Sequence, residues 1–142
     1  MKAVEKKAVE GPESEIRTLI DDWSEAISNK DIDSILAHYA EEVIAFDVPP
    51  PLQLKGRKAL RTNIENWLEM FEGPIQVEFE DQNTTISGDL AMLHQLARIS
   101  DKSKGEGSGT WVRVTVCYQK IGGRWLVIHE HASVPFGMSN RN

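Results

Sequence analysis

Residues 129–131 read His129-Glu130-His131, three titratable side chains in a row inside the largely apolar stretch Trp125 to Pro135. Such groups cost free energy in apolar surroundings unless something pairs or uses them. On a strand, His129 and His131 point to one face and Glu130 to the other. A carboxyl in an apolar cavity is a proton-transfer group. Two imidazoles on one face form either a hydrogen-bonded pair or half of a metal site. A metal would need a third ligand, such as His94 or Asp47. No second spaced pair supplies one, so no metal is expected. Asp47 follows Phe46 and precedes Val48 and Pro49-Pro50-Pro51. It is a general base if an apolar cavity raises its pKa, and otherwise an acceptor of backbone amides in the proline turn. His94 lies between Leu93 and Gln95, with Arg98 on the same strand face. It is a hydrogen-bonded core histidine, or a catalytic proton-transfer partner for Asp47 if that face meets the cavity.

These residues need elements to place them. Pro12, Glu13 and Glu15 suit a helix start, and Ile16, Leu19, Ile20, Trp23 and Ile27 follow helical spacing. After Ser28-Asn29-Lys30, Asp31 is a candidate N-cap for a short helix carrying Ile32, Ile35, Leu36 and Tyr39. A strand over 43–48 ends at the prolines, which remove ladder donors. Leu60, Ile64, Trp67, Leu68 and Phe71 mark a third helix, stopped by Gly73-Pro74. Strands follow near 75–86, 89–100, 110–120 and 124–134. Asp101 to Gly109 is a hairpin loop and Gly122-Gly123 a tight turn. Helices followed by long strands predict an α+β domain, with a curved antiparallel sheet around three N-terminal helices.

The strand at 110–120 alternates sharply. Val112, Val114, Val116 and Tyr118 share one face; Trp111, Arg113, Thr115 and Cys117 share the other. If the apolar face lines the cavity, Glu130 enters it beside Asp47, and His129 and His131 lie behind the sheet. The opposite parity puts Arg113, His129 and His131 inside, which would suit a carboxylate-bearing ligand. A β-bulge could also switch faces partway along the strand. Across these readings the candidate substrate contacts are Trp23, Trp111, Arg113, Glu130 and His131.

The chain has 142 residues, a length that suits one domain. Its boundaries are expected at a flexible lead-in over 1–12, a domain over 13–136 and a tail over 137–142. Net charge is -6 with no basic stripe, which argues against nucleic acid and anionic membranes as partners. The lone Cys117 excludes an internal disulfide and, in an apolar pattern, reads as a structural thiol. No apolar run is long enough to span a bilayer, and a cytoplasmic location is expected. There is no phosphate-cradling glycine loop or nucleotide fingerprint, so no organic cofactor is expected.

Four segments carry a family resemblance: Asn29-Lys30-Asp31-Ile32-Asp33, Ala40-Glu41-Glu42-Val43 leading to Asp47, Gly56-Arg57-Lys58-Ala59-Leu60, and Trp125 to Pro135. Over about residues 14 to 136 the chain resembles the nuclear transport factor 2-like superfamily, and within it the SnoaL-like and ketosteroid-isomerase-like proteins. The resemblance implies a cystatin-like cone, a homodimer through the outer face of the sheet, and a small hydrophobic ligand in the cone. It places the isomerase's base on Asp47, its oxyanion-donating tyrosine on Trp23, and its second donor in the Val112-Val114-Val116 run. An indole donates one hydrogen bond and valine none, so steroid isomerisation by that mechanism is not implied. What remains is proton-transfer chemistry of isomerase, cyclase or dehydratase type, or a non-catalytic binding or oligomerisation domain.

Overall fold

Pro12 opens the first helix at a position where its missing amide donor is harmless, and Glu13 and Glu15 meet the positive end of the helix dipole. The computed structural model describes residues 11–137. Apart from residues 11, 12 and 137, the expected lead-in and tail fall outside the described residues. Helix α1 (Pro12–Ser28) buries Ile16, Ile20, Ala26 and Ile27, with Leu19 and Trp23 packed alongside. Lys30 ends this segment in the left-handed region at φ 56 and reaches across to donate to the Phe71 carbonyl. Asp31 caps α2 (Ile32–Leu36): its carboxylate accepts from the Ser34 amide at 3.3 Å and the Ser34 hydroxyl at 2.7 Å.

The first strand starts and ends earlier than the expected 43–48, and a strand that the sequence reading did not assign follows the prolines. Helix α2 stops at Leu36, and Tyr39 begins strand β1 (Tyr39–Phe46) instead of extending the helical stripe. The stretch after the prolines contains a short strand, β2 (Leu54–Lys55), which pairs with Ile44 and Ala45 of β1. Helix α3 (Arg57–Leu68) then buries Leu60, Ile64 and Leu68. Trp67 stacks edge-on against Phe71 just beyond its end, with ring centroids 5.2 Å apart.

Four long strands complete the sheet: β3 (Ile75–Ser87), β4 (Leu90–Asp101), β5 (Thr110–Ile121) and β6 (Arg124–Ser133). The order is β2-β1-β6-β5-β4-β3. The α+β class stands, but the sheet is mixed, because β1 and β6 run parallel. These strands are joined through the rest of the chain and not by a hairpin, so no tight turn forces them antiparallel. Irregularities in the β3–β4, β5–β6 and β1–β6 pairings accompany the curvature of the sheet. The inner face carries Ala91, Leu93, Val116, Tyr118, Trp125 and Val127 into one core with the buried sides of the helices.

Candidate functional site

The site is set by an extra residue in β6. Cys117 pairs with His129, whereas the next residue, Tyr118, pairs with Val127, so Ile128 is unmatched. Such a bulge changes which residues face inward. Trp125 and Val127 are buried before it. After it, Glu130 lies opposite Val116 on β5 and Ala45 on β1, both of which are buried. Glu130 therefore shares the inner face. His129 pairs with Ile44 and His131 with Phe46, on the outer face.

Glu130 is held by a chain of two hydrogen bonds. The Trp23 indole N–H donates to the Tyr39 hydroxyl at 3.1 Å, and that hydroxyl donates to Glu130 Oε1 at 2.9 Å. An indole nitrogen only donates, so the direction of the chain is fixed. Tyr39 is 2% exposed. Burial pushes the Glu130 carboxyl up to about 7; the Tyr39 hydrogen bond pulls against that, and the nearby Asp47 charge adds to it. Burial, followed by the Glu130 charge, raises the Tyr39 hydroxyl well above the usual tyrosine range, and the same two causes raise Tyr118. The second oxygen of Glu130 has no hydrogen-bond partner among the described residues.

Asp47 is placed otherwise than a base in a closed cavity requires. It is exposed. Its Oδ1 accepts from the Val48 amide at 2.8 Å and its Oδ2 from Asn63 Nδ2 on α3 at 3.0 Å. That is the arrangement of an aspartate tying down a turn, the alternative that the sequence left open.

The remaining candidates lie away from Glu130. His94 is exposed and pairs with Thr115 and Asn83, while its neighbours Leu93 and Gln95 are buried on the inner side. It therefore sits on the outer face and is not brought to Asp47. Arg113 is exposed, donating to Ser133 Oγ at 3.1 Å and to the Val134 carbonyl at 3.2 Å. Trp111 is half-buried on that same face, beneath the Arg98 guanidinium at 5.9 Å. His131 is exposed, its ring edge-on to Phe46 at 5.5 Å. His129 Nδ1–H donates to the Ile44 carbonyl at 2.7 Å, a bond that fixes its tautomer. Of the sequence candidates, the structure thus unites Trp23 with Glu130, with Asp47 within electrostatic range. It adds Tyr39 and Tyr118, which the sequence reading missed. Tyr39 directly precedes the Ala40-Glu41-Glu42 segment, a signal hidden by its helical spacing from Ile35 and Leu36.

Two surface clefts lie elsewhere. One, of about 580 Å³, runs between α1, His38 and the Gly123-Arg124-Trp125 turn. Burial there pulls the His38 imidazole below its ordinary value. The other, of about 330 Å³, lies between α2 and the start of α3.

A mixed, curved sheet wrapped on three helices, with an inward carboxyl on its last strand, defines a cystatin-like α+β protein. The chain belongs to the SnoaL-like domain family, whose model matches residues 16–137. A nuclear transport factor 2-like protein of unknown function from Pseudomonas putida is 40% identical, covers 91% of this chain and 90% of its own, and superposes with a TM-score of 0.82. A proposed dehydratase of the same family from Streptomyces avermitilis is 18% identical, with 87% and 96% coverage and a TM-score of 0.73. A proposed calcium/calmodulin-dependent protein kinase II association domain from Xanthomonas campestris is 20% identical, with 92% of each chain covered and a TM-score of 0.75. Comparison with curated proteins finds no match. No helix among the described residues is long and apolar enough to cross a membrane.

Proposed function

We propose that this chain performs proton transfer on a small, neutral, largely apolar molecule, with Glu130 as the group that takes and returns the proton. The observation that carries this reading is the Trp23–Tyr39–Glu130 chain, which fixes one carboxylate oxygen and leaves the other without a partner. A carboxyl poised near neutral pH exchanges protons readily in either direction. Tyr39 holds the carboxyl in place, and Trp23 holds Tyr39. Asp47 is a second negative group at the site and acts by sustaining the proton affinity of Glu130. The reaction class is that of an isomerase, cyclase or dehydratase, and the proposed dehydratase from Streptomyces avermitilis is a structural neighbour of that kind. A carboxylate-bearing ligand is disfavoured, because the arginine that would bind it, Arg113, lies on the opposite face.

The test is deuterium incorporation from heavy water into a panel of small ketones, followed by NMR. The wild type should catalyse exchange in at least one, with a rate that rises through about pH 7. Glu130→Gln should reduce it by about 100-fold or more, the scale of a lost general base. Exchange that survives in Glu130→Gln would refute the assignment.

A second reading concerns assembly. The outer face exposes Leu90, Met92 and Ile44, and a structural neighbour from Xanthomonas campestris is a proposed association domain. These features support a homodimer through the sheet, which is compatible with the proton-transfer reading.

A further inference from the structure

We infer that the cleft between α2 and the start of α3 binds a phosphate-type oxyanion. It is lined by Asp33, Leu36, Ala37, Arg57, Lys58 and Arg61, and it shares no residue with the Glu130 chain. Three of these six residues are cationic in a chain of net charge -6. Arg61 is already committed, at 2.5 Å to Asp33 and 3.4 Å to Glu65. That pairing also neutralises the one acid in the cleft.

Arg57 and Lys58 have no ion-pair or hydrogen-bond partner among the described residues. Arg57 is only half-exposed, and its Nε is sealed from solvent with no acceptor. That nitrogen cannot meet a ligand, but the two terminal guanidinium nitrogens are neither bonded nor sealed among the described residues, and a bound oxyanion would give them an acceptor. The geometry suits a group with several oxygens better than a spherical halide, because guanidinium presents a planar set of donors. The backbone adds to this. Gly56 caps α3 without a side-chain hydrogen bond, and the first turn has no acid. Among the described residues no side chain caps its leading amides, which leaves them to face an anion at the helix start. Lys58 is exposed at the rim and contributes charge without rigid geometry.

The experiment is an NMR titration of the full chain, following backbone amides, with inorganic phosphate, with glycerol phosphate, and with chloride at matched ionic strength. Phosphate and glycerol phosphate should shift residues 56–61 saturably, and chloride should not. Arg57→Gln should weaken binding about 10-fold or more, the loss expected for a charge-assisted hydrogen bond. Lys58→Gln, at an exposed position, should weaken it less while leaving the rest of the spectrum unchanged, which keeps the test valid if Arg57→Gln folds poorly. Tighter binding of glycerol phosphate than of phosphate would support a phosphorylated small molecule as the ligand; equal affinity would support free phosphate. Equal effects of chloride and phosphate, or wild-type affinity in both variants, would overturn the inference.

Discussion

Glu130 and Asp47 stand near the ends of neighbouring strands, yet one is aimed at the core and the other at a turn. Stability should report the difference, with opposite signs for the two amides. Glu130 has an ordinary value of 4.5 and is raised to about 7 by burial. The folded chain therefore holds its proton where the unfolded chain has lost it, and stability falls as pH rises from about 4.5 to about 7. With allowance for partial exposure, the cost above pH 7 is on the order of 2 kcal/mol. Glu130→Gln keeps the shape and removes the titration. It should exceed the wild type by that amount in urea melts at pH 8 and match it at pH 4. Asp47→Asn should instead lose about 1 kcal/mol at pH 7, because it weakens the bonds from Val48 and Asn63. A destabilised Glu130→Gln at pH 8 would show that the carboxyl is not penalised by burial.

At the scale of elements, one aspartate joins two connections. Asp101, at the end of β4, accepts from the amides of Glu72 and Gly73 after α3, and from the amide and hydroxyl of Ser103. The Ser103 hydroxyl first, then these amides, hold its carboxyl down at about 2. Its contribution to stability is present above about pH 4 and is lost as pH falls towards 2. Asp101→Asn should therefore lower the melting temperature at pH 7, with the gap to the wild type closing near pH 2. A constant gap across that range would contradict the clamp. Gly73 belongs to the same contact: a Cβ there would lie 2.8 Å from Ser103 Cβ and 2.9 Å from Asp101 Oδ1. The sequence marked Gly73-Pro74 only as a helix stop, because a partner 28 residues away leaves no local pattern. Strand β6 shows the same limit. The alternation of Val112, Val114, Val116 and Tyr118 assigned β5 its faces, but β6 carries apolar residues in both registers around Ile128. Only pairing with β5 and β1 shows where the bulge falls and which way Glu130 turns. Tyr39 was hidden for a related reason: its helical spacing was plausible, and its place in β1 depends on the distant β6.

Across the whole molecule, the outer face of the sheet forms a continuous surface. Met92, Cys117, His129 and Ile44 make one register row over four strands, and His94, Thr115, His131 and Phe46 make the next. Met92 is 43% exposed and Ile44 36%. An exposed apolar row flanked by polar groups suits a two-fold contact with a second copy. Light scattering at micromolar concentration should give a dimer mass, and Met92→Glu should shift it towards monomer; a monomer mass for the wild type at several salt levels would count against the contact. The order of helices and long strands was legible because amphipathic spacing is local. The parallel β1–β6 pair was not, since it joins distant parts of the chain. The inward placement of the Glu130 carboxyl and its poise near neutrality can be read from a carbon-13 NMR titration of glutamate side-chain carboxyls. One resonance should show a midpoint near pH 7 and disappear in Glu130→Gln; a spectrum in which every glutamate titrates below about pH 5 would rule out a proton-transfer carboxyl at this position.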